Sequence, residues 1–174
     1  MRIAVYAGTF DPITAGHLSV IEAAAEAFDR LIVLVAVNPD KHPLFNGAER
    51  QAMIEGATEH LEHVAVDTST GLVVEYARAH GAGFLIRGIR DASDADYETQ
   101  LANVNRNIAP EVTTFFVPAH TELSRLSSSN LKEMARRGED GSAYCPALVW
   151  QQLVRKLAEQ QNLPHPHGKT EVVP

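Results

Sequence analysis

Four short runs gather the residue types that can hold phosphate. The first is Gly8-Thr9-Phe10-Asp11-Pro12-Ile13-Thr14-Ala15-Gly16-His17. It follows a β-branched and aromatic run at residues 3–6 and opens a helical pattern over 18–28. Gly8 lets the chain turn where the strand ends. Thr9 and Phe10 offer backbone N–H groups and a hydroxyl, and Gly16 lets a phosphate come close to the backbone. His17 falls in the first turn of the helix, where unpaired N–H groups and the helix dipole favour an anion. A protonated or donor imidazole there can stabilise charge on a phosphorus in transit. A capping Thr14 and a surface histidine would explain a lone His. Two glycines, two threonines and an Asp-Pro turn around His17, set between a strand and a helix, favour a ligand site instead.

The second run is Ile86-Arg87-Gly88-Ile89-Arg90, at the end of a strand expected over 84–86. Arginine forks suit phosphate oxygens, and Gly88 permits close approach. Surface salt bridges to Asp91, Asp94 or Asp96 are the plainer alternative. The third run is Ser127-Ser128-Ser129, before a helix expected over 130–137. Asn130-x-x-Glu133 can cap that helix, so the serines are spare hydroxyls for phosphates. The fourth is the loop Asn38-Pro39-Asp40-Lys41-His42-Pro43, where Lys41 is either a mobile point charge for the site or an exposed loop lysine.

Strands expected at 3–6, 31–37, 64–66, 84–86 and 113–117 alternate with helices at 18–28, 47–59, 72–80, 95–108, 130–137 and 146–160. Asn46-x-x-Glu49 is a capping box for the second helix, and Gly81 stops the third. The alternation predicts an α/β fold, a doubly wound five-stranded parallel sheet with helices on both faces. Ligands of such sheets bind at the carboxyl ends of the strands, and all four runs lie just after strands. Residues 1–160 read as one domain and 161–174, with three prolines and no apolar periodicity, as a flexible tail.

The 174 residues carry a formal net charge of -7, which disfavours a broad nucleic-acid face and confines phosphate binding to a local pocket. One cysteine, Cys145, allows no intrachain disulfide and has no partner at nucleophile spacing. His165 and His167 in the tail do not make a metal site, no residues have zinc spacing, and no P-loop is present. Without a signal-peptide pattern or membrane span, the expected location is the cytoplasm.

Gly-x-Phe-Asp-Pro-x-x-x-Gly-His, with Thr14-Ala15-Gly16-His17, resembles the nucleotidyltransferase superfamily with the (T/H)-x-G-H signature. Ile-Arg-Gly-Ile-Arg followed by Asp96-Tyr97-Glu98 narrows the resemblance to bacterial phosphopantetheine adenylyltransferases, over about residues 2–157. That family joins AMP from ATP to 4′-phosphopantetheine, releasing pyrophosphate. The resemblance implies a phosphate-handling set of His17, Lys41 and Arg90. It implies acceptor contacts at Thr9, Lys41, Val73 and Arg87. It implies ATP contacts at Thr9, Phe10, His17, Gly88, Ile89, Arg90, Glu98, Leu123, Ser124, Arg125, Leu126, Ser127, Ser128 and Ser129. It also implies Mg²⁺ carried by ATP without a protein ligand, a homohexamer, and feedback by coenzyme A. Leu123 and Arg125 stand where the family often has larger aromatics, and Ala7 where it often has proline. Two other readings stay open. One is a related transferase with another acceptor, although cytidylyl enzymes usually carry His at the Thr14 position. The other is a non-catalytic nucleotide sensor.

Overall fold

The computed structural model describes residues 1–119, 122 and 126–161. Five strands form one parallel sheet: β1 (Ile3–Gly8), β2 (Arg30–Ala36), β3 (Val64–Ser69), β4 (Phe84–Ile89) and β5 (Thr113–Pro118). Their spatial order is β3-β2-β1-β4-β5. The chain winds outward to one edge, returns to the middle and winds to the other. Between β1 and β4 the winding reverses, and the carboxyl ends of the strands open there into a crevice.

The helices are α1 (Ala15–Ala27), α2 (Gly47–Thr58), α3 (Val73–Ala79), α4 (Ala92–Ile108), α5 (Ser128–Arg136) and α6 (Ala147–Gln161). Residues 31–35 of β2 are Leu-Ile-Val-Leu-Val and none is more than 4% exposed, as expected of a strand covered on both faces. Alternate residues feed two cores. Ala4, Tyr6, Leu31, Val33 and Ile86 pack with Val20 and Ile21 of α1, Met53 and Ile54 of α2, Leu131 of α5 and Val149 of α6. Val5, Ala7, Ile32, Leu34 and Leu85 pack with Val74 and Ala77 of α3 and with Val112. The second face has the thinner cover: α3 is one helix of seven residues, and α4 buries none of its seventeen.

Several bounds differ from the expectations, each for a local reason. β4 runs on to Ile89 because Arg87, Gly88 and Ile89 keep pairing with Phe116, Val117 and Pro118. α4 starts at Ala92, earlier than expected, because the Asp91 carboxylate accepts from Asp94 N at 2.9 Å and caps it. α5 starts at Ser128 because Ser127, not Asn130, is the N-cap. The box at Asn46 and Glu49 is present as read, and Gly81 ends α3 in the left-handed region at φ 65°. The tail from 162 on, with His165 and His167, lies outside the described residues. Among the described residues no helix is long and apolar enough to cross a membrane.

Candidate active site

The crevice holds a cavity of about 440 Å³ lined by Tyr6 to Asp11, Thr14, Gly16, His17 and Val20, by Arg87, Gly88, Arg90, Asp94 and Glu98, and by Leu126 to Ser129 and Lys132. Three of the four runs converge on it. Lys41 does not; it stays exposed on the loop after β2, its N–H bonded to Asn38 O. Ile89 is not among the lining residues. Leu123, Ser124 and Arg125 lie outside the described residues.

The spacing of Thr14 and His17 is that of a capping box. Thr14 is the N-cap of α1, and its Oγ1 accepts from His17 N. The His17 ring answers as the N3 partner: Nδ1 accepts from Thr14 N at 3.1 Å. Burial, reinforced by the Arg90 charge, lowers the His17 pKa to about 4. The ring is therefore neutral, its proton sits on Nε2, and Nε2–H is the donor left for the cavity. Of the two options open from sequence, an imidazolium or a neutral donor, the structure favours the neutral donor. Phe10 packs edge-on against the ring, with centroids 5.1 Å apart.

Each cation of the cavity is matched by a carboxylate. Arg87 forks onto Glu98 through Nε and Nη2, the latter at 2.7 Å. Arg90 forks onto Asp94 at 2.6 and 2.9 Å. Lys132 Nζ donates to Asp11 at 2.7 Å. The salt-bridge alternative for the two arginines is thus part of the architecture, with Glu98 and Asp94 as the partners. Asp94 and Glu98 are one turn apart on α4, so one helix face orients both forks. The Arg90 bonds hold the Asp94 carboxyl below its usual range. Burial pushes the Asp11 carboxyl up, but Lys132 and the N–H groups of Phe45 and Leu44 outweigh it and hold the group low. Pairing leaves donors to spare: Lys132 spends one of its three protons here, and Arg90 keeps Nη1. Forks fixed in advance suit phosphate oxygens better than loose ones.

Two of the three serines have local work. Ser127 Oγ accepts from Asn130 N at 3.2 Å, and Ser128 Oγ donates to Pro12 O at 2.8 Å. The Ser129 side chain has no hydrogen-bond partner among the described residues and lines the cavity. The glycines also differ from their expected use. A Cβ on Gly8 would stand 2.8 Å from the tip of the Phe10 ring, so Gly8 makes room for Phe10. A Cβ on Gly88 would meet Val20 at 3.2 Å and the Tyr6 hydroxyl at 3.4 Å. Sequence reasoning missed Tyr6 and Lys132, named Asp94 only as a surface salt-bridge partner, and took Asp11 for a turn residue. For Lys132 the available signal was its place one turn after the serines, facing the same way as Ser128 and Ser129.

A second, mostly apolar cavity of about 190 Å³ adjoins the first and shares Ala7 and Arg87 with it. Val5, Leu72, Val73, Leu85, Leu101 and Asn105 line it. Val73 is therefore a cavity residue and only partly a core one. The same face of α4 that carries Asp94 and Glu98 continues through Leu101 and Asn105, so its polar half meets one cavity and its other half the next.

A cytidylyltransferase-like family model matches residues 5–134. A phosphopantetheine adenylyltransferase of Heliobacterium modesticaldum is 43% identical over 159 residues, covering 91% of this chain and 95% of its own. One from a Synechococcus species is 48% identical over 158 residues, covering 91% and 97%. This chain belongs to the phosphopantetheine adenylyltransferase family. The fold recurs in a solved structure provisionally described as a nicotinate-nucleotide adenylyltransferase from Vibrio parahaemolyticus. That match has a TM-score of 0.63 at 18% identity and covers 88% of this chain and 99% of the other.

Proposed function

We propose that the protein transfers the adenylyl group of ATP to 4′-phosphopantetheine, giving dephospho-coenzyme A and pyrophosphate. The observation that carries this reading is the junction at Arg87, where a polar cavity of about 440 Å³ meets an apolar one of about 190 Å³. A triphosphate suits the first. An acceptor with a phosphate at one end and a long, weakly polar arm suits the second, with its phosphate at Arg87 and its arm along Val73.

In this reading an oxygen of the acceptor phosphate attacks the α-phosphorus in line, and the bond from α-phosphorus to the bridging oxygen breaks. The electron pair leaves on pyrophosphate. A phosphate nucleophile has a second pKa near ~6 and is already ionised at neutral pH, so no general base is required. The protein supplies alignment and charge neutralisation. His17 Nε2–H, Arg90 and Lys132 hold triphosphate oxygens, Thr9 orients the nucleophile, and Ser129 with the amides of α5 takes the far phosphates. The substrate in this reading is MgATP. The cavity carboxylates are committed to Arg87, Arg90 and Lys132, so the metal stays on phosphate oxygens and water. Lys41 belongs to this reading through the resemblance; it reaches the phosphates if the loop after β2 folds over the cavity. A homohexamer, a cytoplasmic location and feedback by coenzyme A are proposed on the same footing.

The test is pyrophosphate release from MgATP with and without 4′-phosphopantetheine, for wild type and His17→Ala. The expected result is acceptor-dependent release that falls about 10²–10³-fold in the variant. Release with a different phosphorylated acceptor alone would overturn the substrate. ATP binding without turnover on any acceptor would point to a sensor.

A further inference from the structure

Arg50 on α2 is 2% exposed and does not line the cavity. Among the described residues no carboxylate is in salt-bridge contact with it. Its guanidinium donates instead to backbone carbonyls of three segments: Thr9 O at 2.8 Å, Ala36 O at 3.4 Å and Asn46 O at 3.3 Å. These are the loop after β1, the end of β2 and the cap of α2. A buried cation is a costly way to join segments, but only a planar fork of five donors can reach three carbonyls at once.

The effect falls on one peptide unit. The peptide joining Thr9 to Phe10 is trans, since the one cis bond in the described chain is Asp11-Pro12. In a trans peptide the C=O and N–H point in opposite directions. With Thr9 C=O turned to Arg50, the Phe10 N–H is turned away from Arg50, and both Thr9 and Phe10 line the cavity. No group among the described residues accepts from that N–H. Phe10 sits at φ 48°, a conformation that a non-glycine residue keeps only when its surroundings hold it there. The loop is gripped on its other side too, where the Asp11 carboxylate accepts from Leu44 N, Phe45 N and Lys132 Nζ.

We propose that Arg50 is a positioning residue: by fixing the Thr9 carbonyl from behind, it aims the Phe10 amide at the nucleotide phosphates. This inference rests on the proposed function, because it needs a phosphate ligand in the cavity.

The experiment uses the full-length protein labelled with ¹⁵N-phenylalanine, as wild type and as Arg50→Lys. Lysine keeps the charge but cannot bridge three carbonyls. MgATP affinity is measured first by calorimetry. In wild type, saturating MgATP should move the Phe10 amide proton well downfield, as a new bond to phosphate requires. In Arg50→Lys that shift should shrink, and kcat/KM for ATP should fall about tenfold or more. The acceptor KM should move less than threefold. A Val112→Ala variant, which loosens the core under the opposite sheet face, serves as the stability control and should keep the Phe10 shift. If wild type binds MgATP and the Phe10 amide stays in place, the inference is overturned while the proposed function stands. It is also overturned if Arg50→Lys matches wild type in kcat/KM and in the shift. If wild type binds no MgATP, both fall. Should Arg50→Lys not fold, protection of the wild-type Phe10 amide from hydrogen exchange on adding MgATP decides: protection supports the inference, unchanged exchange overturns it.

Discussion

Burial and the nearby Arg90 bring the His17 pKa down to about 4, and this has a consequence for stability. In the unfolded chain the same imidazole titrates near ~6.5. Between about pH 6.5 and about pH 4 the unfolded chain therefore binds a proton that the folded chain refuses. By linkage, the contribution of His17 to stability is complete above that window and is lost as pH falls through it. Its ceiling is about 3 kcal/mol, from the size of the shift. His17→Gln keeps a polar side chain and removes the titration. Urea unfolding at pH 7.5, 6, 5 and 4 should show wild type losing stability faster than the variant below pH 6.5. Parallel curves would mean that the ring is solvated, and the neutral-donor role would fail with it. The same geometry explains the spacing Thr14-x-x-His17 without reference to relatives. A histidine at N3 completes a capping box with the N-cap threonine, so the bonds that start α1 also set the tautomer that faces the ligand.

The elements divide the Ser127-Ser128-Ser129 run into separate tasks, and the division can be measured. Ser127 caps α5, so Ser127→Ala should cost about 1 kcal/mol, read as a lower Tm, with a smaller change in the Michaelis constant for ATP. Ser129 makes no bond to the described chain, so Ser129→Ala should leave Tm unchanged and weaken ATP binding. A reversed pattern would mean that the cap lies at Ser129 and the ligand contact at Ser127. The sequence reading placed the cap at Asn130 because Asn130-x-x-Glu133 fits the box pattern as well as Ser127 fits a single cap; backbone geometry, absent from sequence, decides between them. Order and type of elements were legible because β1 and β2 carry uninterrupted apolar runs rich in Val and Ile and several helices carry their own start or stop residues. The end of β4 was not, because Arg87 and Gly88 interrupt the apolar pattern while their backbone keeps pairing with β5. At the site, the signature residues were legible as phosphate handlers. Of their counter-ions only Asp94, four positions from Arg90, was among the partners read from sequence; Arg87 meets Glu98 across eleven positions, and Asp11 meets Lys132 across 121. Arg50 was silent for the same reason, since its partners are carbonyls contributed by three separate segments.

At the scale of the whole molecule, the two faces of the sheet are unequally covered. One face is packed by α1, α2, α5 and α6. The other has α3 and an α4 that buries no residue, and there Tyr97, Val104 and Ile108 are 65%, 52% and 39% exposed. Edge strand β5 adds Phe116 at 37% on this face, while Phe115, at 46%, points to the opposite face against Phe28 and Phe84. A run of large apolar groups along one helix and one unpaired strand edge is a contact surface in waiting. The placement matters for the site, because α4 is the helix that holds the Arg87 and Arg90 forks through Glu98 and Asp94. Packing its outer face against a second copy would steady its inner face against the cavity. The proposed homohexamer supplies such a copy. Wild type should therefore run in sedimentation equilibrium at about six times the 19.0 kDa of one chain. Val104→Asp with Ile108→Asp, each burying a charge in any contact made there, should shift the mass to smaller species at micromolar concentration. Those species should keep the circular dichroism of wild type, since neither side chain is buried within the chain. Their Michaelis constant for ATP should rise, because α4 loses its outer support while His17 and the α5 serines stay in place. A double variant that keeps the wild-type mass would move the contact to another surface. One that dissociates with full activity would show that α4 holds its forks without help from a neighbour.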